Sequence, residues 1–277
     1  MSQAPSTRKP PSSAPVTAPV TSTTGKKFTV SSGPKKKGQR IVVHGTGGIG
    51  KTTLASLAGK VRFIDRDSDG SSAMNVDRVE GITAFADVLD ALRTPALWQG
   101  VETVVIDSGT VMQELAVAHT IANVKHEKGH AVTSIEGYGF GKGYCHVFET
   151  FTLLLAALDR HIEEGRNVIL VCHTVVAKVP NPDGEDFSQY QVALQENGQG
   201  PIRSRVKGWC DHLLYIGYDV AVSEGKGKGH GTRTIQVSER PAWSAKSRTL
   251  RKDIPYLDPL KDPDGAADVW RQLGIVN

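Results

Sequence analysis

The segment Gly45-Thr46-Gly47-Gly48-Ile49-Gly50-Lys51-Thr52 gathers four glycines, a lysine and two hydroxyls within a few residues. Its spacing satisfies G-x-x-x-x-G-K-[ST] at every fixed position. Glycines let a backbone wrap closely round an anion and adopt positive φ. The N–H groups of such a turn, followed by a helix N-terminus, attract anionic oxygens. The chemistry this predicts is a cradle for a polyphosphate. Lys51 would reach the β- and γ-phosphates and the Thr52 hydroxyl would ligate Mg²⁺. The expected contact set is Gly45, Thr46, Gly47, Gly48, Ile49, Gly50, Lys51, Thr52 and Thr53.

A polyphosphate cradle needs a carboxylate from another strand to hold the magnesium shell. Val104-Val105-Ile106-Asp107-Ser108 offers an apolar strand with an acid at its end, so Asp107 is the expected partner of Thr52 at the metal. The competing reading is that Asp107 caps the next helix. For a base that orients an attacking water, Phe63-Ile64-Asp65-Arg66-Asp67 supplies two choices. Asp67 lies just past the strand end and Asp65 competes with it; either could instead begin the turn of Asp67-Ser68-Asp69-Gly70. His173 closes Val171-Cys172-His173, where a polar side chain would face the terminal phosphate, although a lone histidine is more often structural.

The elements that must position these residues are legible from hydrophobic runs. Strands are expected at Arg40 to His44, Val61 to Asp65, Thr103 to Asp107 and Asn167 to His173. Helices are expected from about Lys51, at Ile82 to Leu92, Val111 to Lys125 and Val147 to Glu164. Later strands are read at Tyr190 to Leu194, Leu213 to Gly217 and Arg233 to Val237. Continuous apolar strands separated by helices predict an α/β fold: a mainly parallel sheet with helices on both faces and an antiparallel edge. No spacing suggests a cut within residues 39–277.

Residues 1–38 differ in kind. They are rich in Pro, Ser, Thr and Lys, with seven basic residues and no acid. Such a stretch buries too little apolar surface to offset its ordering entropy, so a disordered basic tail is expected. Removing its seven charges from the net +4 leaves the rest of the chain near −3, which argues against a strongly basic DNA-binding body. Lys35-Lys36-Lys37 could touch nucleic acid or simply solubilise the tail. Three scattered cysteines without metal spacing fit a reducing, cytoplasmic setting, and no apolar run is long enough to span a membrane.

Taken in order, the glycine loop, the two acid-ended strands and the strand ending in His173 resemble the RecA-like P-loop NTPase core. The resemblance extends to phage-encoded RecA-like ATPases of single-strand annealing and recombination. It is carried further by Gly137-Tyr138-Gly139-Phe140-Gly141-Lys142-Gly143-Tyr144, Asn167 to His173, Pro182 to Asp186 and Ala245-Lys246-Ser247-Arg248, and spans roughly residues 41–250. It implies ATP and Mg²⁺ as ligands, hydrolysis to ADP and phosphate, and a homo-oligomeric ring or filament with nucleotide at the subunit interfaces. Asp67 stands where RecA has a water-activating glutamate, and His173 where RecA has a glutamine that senses the γ-phosphate. Lys246 and Arg248 resemble a cationic pair that reaches into a neighbour's site and stabilises charge on the transferred phosphoryl group. The early lysine of partition-type ATPases is replaced here by Thr46.

The likeness also implies single-stranded DNA as a partner, faced by two loops, about Lys128 to Gly143 and Thr174 to Gln189. Tyr138, Phe140 and Lys142 in the first suit base stacking and phosphate contact. Asp183, Glu185 and Asp186 make the second acidic, which departs from that pattern. Gly225 to Gly231 is a basic segment that reads as a hairpin turn. Two other functions remain open on the sequence: a nucleotide-gated loader or adaptor without DNA-stimulated turnover, and a small-molecule kinase using Arg203 and Arg205 as a lid.

Overall fold

The computed structural model describes residues 20–21, 27–28, 33, 37–66, 70–196, 198–223, 226–259 and 261–277. The chain divides into two units, Met1–Lys36 and Lys37–Asn277. In the first, Val20–Thr21 pairs antiparallel with Lys27–Phe28. Most of the expected disordered tail, residues 1–38, lies outside the described residues. Its last residue, Gly38, is buried and its N–H donates to Ile162 O at 3.0 Å, so the folded unit begins slightly earlier than expected.

The second unit is built on one nine-stranded sheet. Its parallel strands are β1 (Arg40–Gly45), β2 (Val61–Asp65), β3 (Arg78–Val79), β4 (Thr103–Asp107) and β5 (Asn167–Cys172). A separate hairpin follows, β6 (Thr174–Val179) with β7 (Phe187–Val192). The sheet resumes with β8 (His212–Ser223), β9 (Lys226–Gln236), β10 (Lys246–Ser247) and β11 (Ile254–Pro255). Across the sheet the order is β11-β9-β8-β1-β5-β4-β2-β3, with β10 also on β8. Strands β8 through β3 in that order run parallel, and β9, β10 and β11 supply the expected antiparallel edge.

Alternation along each strand sends side chains to opposite faces, so a sheet covered on both sides needs apolar residues at every position. Val42, Ile64, Val104, Ile106 and Leu170 face one layer, made by α2 (Phe85–Arg93), α3 (Gly109–Asn123), α4 (Lys142–Glu163) and α5 (Ile202–Trp209). Ile41, Val43, Phe63, Val105 and Ile169 face the other, made by α1 (Lys51–Ser56) and the C-terminal helices α6 (Pro263–Ala266) and α7 (Asp268–Gln272). All ten strand residues are fully buried; each stabilises the fold by roughly 1.5–3 kcal/mol relative to exposure.

Helices α5, α6 and α7 and the short strand β3 are additional to the expected elements, α2 begins at Phe85 rather than Ile82, and three further segments differ from the sequence expectation. The residues from 174 to 189, expected as a loop, begin a β-hairpin whose pairs run from Thr174↔Val192 to Val179↔Phe187. The β-branched run Thr174-Val175-Val176 carries the strand propensity. Helix α4 starts five residues earlier than expected, at Lys142, because Gly141 takes the left-handed conformation before it. Gly143 is required there: a Cβ would stand 2.2 Å from the Ile135 carbonyl oxygen. The hairpin turn expected at 225–231 is mostly strand, because β9 already begins at Lys226, paired with Ser223 of β8. Positions 224 and 225 lie outside the described residues.

Candidate functional site

The glycine loop joins β1 to α1 at the carboxyl end of the parallel strands, where ligands bind in sheets of this kind. Gly50, at φ 99°, is the residue before the helix, and Leu54 N–H donates to its carbonyl at 2.8 Å. Two side chains from the antiparallel edge grip the same turn. Tyr256 Oη donates to Gly50 O at 2.7 Å, and Arg233 Nη1 donates to Ile49 O at 2.8 Å. The Arg233 guanidinium lies 4.6 Å from the centre of the Tyr256 ring. A side chain at Gly50 would meet both groups within about 3 Å.

The loop, Asp107, Ser108 and His173 border one cavity of about 430 Å³. Thr52 Oγ1 donates to Asp107 Oδ2 at 2.5 Å. The helix-capping alternative for Asp107 fails, because Ser108 takes that role: its hydroxyl accepts from Val111 N–H at 3.3 Å. The Asp107–Ser108 peptide is cis. A hydroxyl and a carboxylate converging from two elements form an oxygen donor set that suits Mg²⁺, a hard cation that takes few protein ligands. Lys51 Nζ donates to Gly45 O at 3.0 Å and Thr46 O at 2.8 Å. Burial lowers its pKa, and the nearby Asp107 carboxylate opposes that shift.

His44 is the last residue but one of β1, just before the loop, and is fully buried. Its Nε2–H donates to Ser244 O at 2.8 Å, which leaves Nδ1 to accept from the Thr174 hydroxyl at 3.0 Å. Burial holds its pKa down at about 4, against the partial opposition of the Ser244 contact. The ring is therefore neutral and ties the P-loop strand to the start of the β6–β7 hairpin. His173, immediately before that hairpin, is exposed at the cavity rim, with its N–H donating to Thr110 Oγ1 at 3.2 Å.

The remaining sequence candidates fall elsewhere. Asp65 ends β2 level with Asp107 on β4. Its carboxylate accepts from the Ser71 hydroxyl and borders a different cavity, with Ser72 and Arg78. Asp67 lies outside the described residues. Lys246 pairs with Leu213 and Arg248 bonds Asp211 at 3.0 Å, at the amino ends of the strands and so away from this chain's own glycine loop. In the first expected DNA-facing loop, Tyr138 is not available for stacking: it is buried and its hydroxyl donates to Val124 O at 2.6 Å. Lys142 is paired with Glu127, while Phe140 is 94% exposed. Sequence reasoning missed Arg233, Tyr256 and His44. Nothing local marks them: Tyr256 is separated from Gly50 by 206 positions and meets it only through the fold.

A mainly parallel sheet with this loop at its carboxyl end, and an acid at the end of another strand meeting the loop's hydroxyl, define a P-loop domain, a class that binds nucleotide. The chain belongs to the AAA domain family, whose model matches residues 37–249. Solved structures that match include the flagellar accessory protein FlaH from Methanocaldococcus jannaschii, at 14% identity over 80% of this chain and 85% of that one, with a TM-score of 0.39. The KaiC-like protein PH0186 from Pyrococcus horikoshii OT3 also matches at 14% identity, over 80% of this chain and 86% of that one, with a TM-score of 0.39. No curated protein matches the sequence. Among the described residues no helix is long and apolar enough to cross a membrane.

Proposed function

We propose that this protein hydrolyses ATP with Mg²⁺ and couples that reaction to binding single-stranded DNA, in annealing or recombination during phage DNA metabolism. The observation that carries the nucleotide half is the Thr52–Asp107 contact of 2.5 Å, which sets both expected metal-binding oxygens at one point beside Lys51. In this reading Gly45 to Thr53 enclose the phosphates, Lys51 neutralises charge on the β- and γ-oxygens, and Thr52 and Asp107 hold the magnesium shell. The bound cation would supply further neutralisation of the transferred phosphoryl group.

Asp67 is assigned as the base that takes the proton of the attacking water while the bond to the β,γ-bridging oxygen breaks. The engagement of Asp65 with Ser71, in a different cavity, supports that choice over Asp65. His173 is assigned as the group that reports the terminal phosphate, since it opens the hairpin that begins at Thr174. Lys246 and Arg248 would act in the site of a neighbouring subunit of a ring or filament. The test is the ATP hydrolysis rate with and without a single-stranded oligonucleotide. Stimulation of about tenfold or more is expected. No stimulation at any salt concentration would favour a nucleotide-gated loader or adaptor instead.

A further inference from the structure

A second cavity, of about 510 Å³, opens on the other flank of the P-loop, bordered by Thr46 and Ile49 of the loop itself. Its wall is a ladder of three rings. Tyr190 lies 5.5 Å from Tyr215 at 14°, and Tyr215 lies 5.9 Å from Trp243 at 15°. Tyr215 is buried in the middle, whereas Tyr190 is 39% exposed and Tyr218, at the rim, is 50% exposed. Polar groups at the rim are few: Gln236 and Asp219, whose carboxylate accepts from the Thr234 hydroxyl at 2.8 Å. Flat rings with a few hydrogen-bonding groups form the kind of surface on which nucleobases stack, whatever their identity.

The strand pair that borders this cavity carries lysines in its outer sequence. Strands β8 and β9 continue beyond Tyr218 and Asp219, with an irregularity in register between Tyr218 and Val220. Their outer part places Lys228 opposite Ala221 and Lys226 opposite Ser223. Stacking rings with lysines on an adjoining strand pair match a strand of alternating bases and phosphates better than an apolar peptide. The ladder also connects to the phosphate site. Tyr215 lies 5.1 Å from the His44 ring, and His44 is bonded to Thr174, next to His173.

We propose that the cavity lined by Tyr190, Tyr215, Tyr218 and Trp243 receives a base of single-stranded DNA. This rests on the DNA-binding reading above and names its contact surface. The route through Tyr215, His44 and Thr174 gives bound DNA a physical connection to the γ-phosphate side of the site.

The test uses the full chain and an oligo(dT) strand, followed by tryptophan emission and by anisotropy of a labelled oligonucleotide. Of the other three tryptophans, Trp98 and Trp270 are fully buried and Trp209 is buried against Arg40 and Asp159, so quenching is expected to come from Trp243. Trp243→Phe should abolish the quench while anisotropy still shows binding. Tyr190→Ala and Tyr218→Ala should each weaken binding roughly five- to a hundredfold. Tyr218 is half exposed, so its variant keeps the test usable if Tyr190→Ala fails to fold; thermal melting serves as the folding control. If the wild type binds the strand but the tyrosine variants bind it equally well, the cradle is wrong and the DNA reading stands. If the wild type does not bind the strand, the DNA reading falls with it. If thymidine monophosphate quenches Trp243 as strongly as the strand, the cavity is a mononucleotide site and the strand assignment is overturned.

Discussion

Thr52 and Asp107 are 55 positions apart, and their contact depends on both strands ending at the same level of the sheet. His44 is the residue that fastens that level to its surroundings, and it does so only while neutral. Its folded-state pKa of about 4 lies below its ordinary value of 6.5. As pH falls the unfolded chain therefore takes up the proton first. The stability contributed by neutral His44 is complete above about pH 6.5, declines as pH falls toward 4, and is gone below it. At roughly 1.4 kcal/mol per tenfold change, the loss over that window is about 3 kcal/mol. Thermal melting between pH 7 and pH 4 should show this decline for the wild type, and a smaller one for His44→Gln. Identical pH profiles for the two proteins would remove His44 from this role.

At the scale of elements, the C-terminal segment braces the P-loop helix from behind. Trp270 Nε1 donates to Leu54 O at 2.7 Å and Gln39 Nε2 to Leu273 O at 2.7 Å, while Tyr256 holds Gly50. These C-terminal partners, Tyr256, Trp270 and Leu273, lie beyond the matched region 37–249. Trp270 is fully buried against α1, so Trp270→Ala should destabilise the protein by about 3–5 kcal/mol. Urea unfolding reads that cost, and a cost under about 1 kcal/mol would mean that the segment is not an integral brace. The sequence showed the parallel strands well, because burial on both faces leaves unbroken apolar runs such as Val104-Val105-Ile106. The glycine loop and Asp107 could be singled out because each carries its own local pattern. The sequence showed a strand from Tyr190 but hid its partner β6, whose exposed positions Val175 and Val176 lie opposite Gln191 and Tyr190 and leave no buried apolar run to mark a strand. It hid Tyr256 and Arg233 because their role comes from edge-strand topology, which no local spacing encodes.

At the scale of the whole molecule, Lys246 and Arg248 sit at the opposite end of the strands from this chain's own cradle, so the role proposed for them requires the neighbouring subunit proposed with it. Subunits carrying Lys51→Ala, mixed with subunits carrying Arg248→Ala, should regain hydrolysis that neither has alone, since mixed interfaces unite an intact lysine with an intact arginine. No recovery in a mixture shown to co-assemble would remove the trans-acting role. The central claim concerns one point in the molecule, where Thr52 and Asp107 meet. The most direct measurement is the affinity for ATP by calorimetry, with and without Mg²⁺, for the wild type and Asp107→Asn. The wild type should bind about tenfold or more tightly with Mg²⁺ than without it, a gain of roughly 1.4 kcal/mol or more. In Asp107→Asn most of that gain should vanish. A variant that keeps the full Mg²⁺-dependent gain would contradict the site.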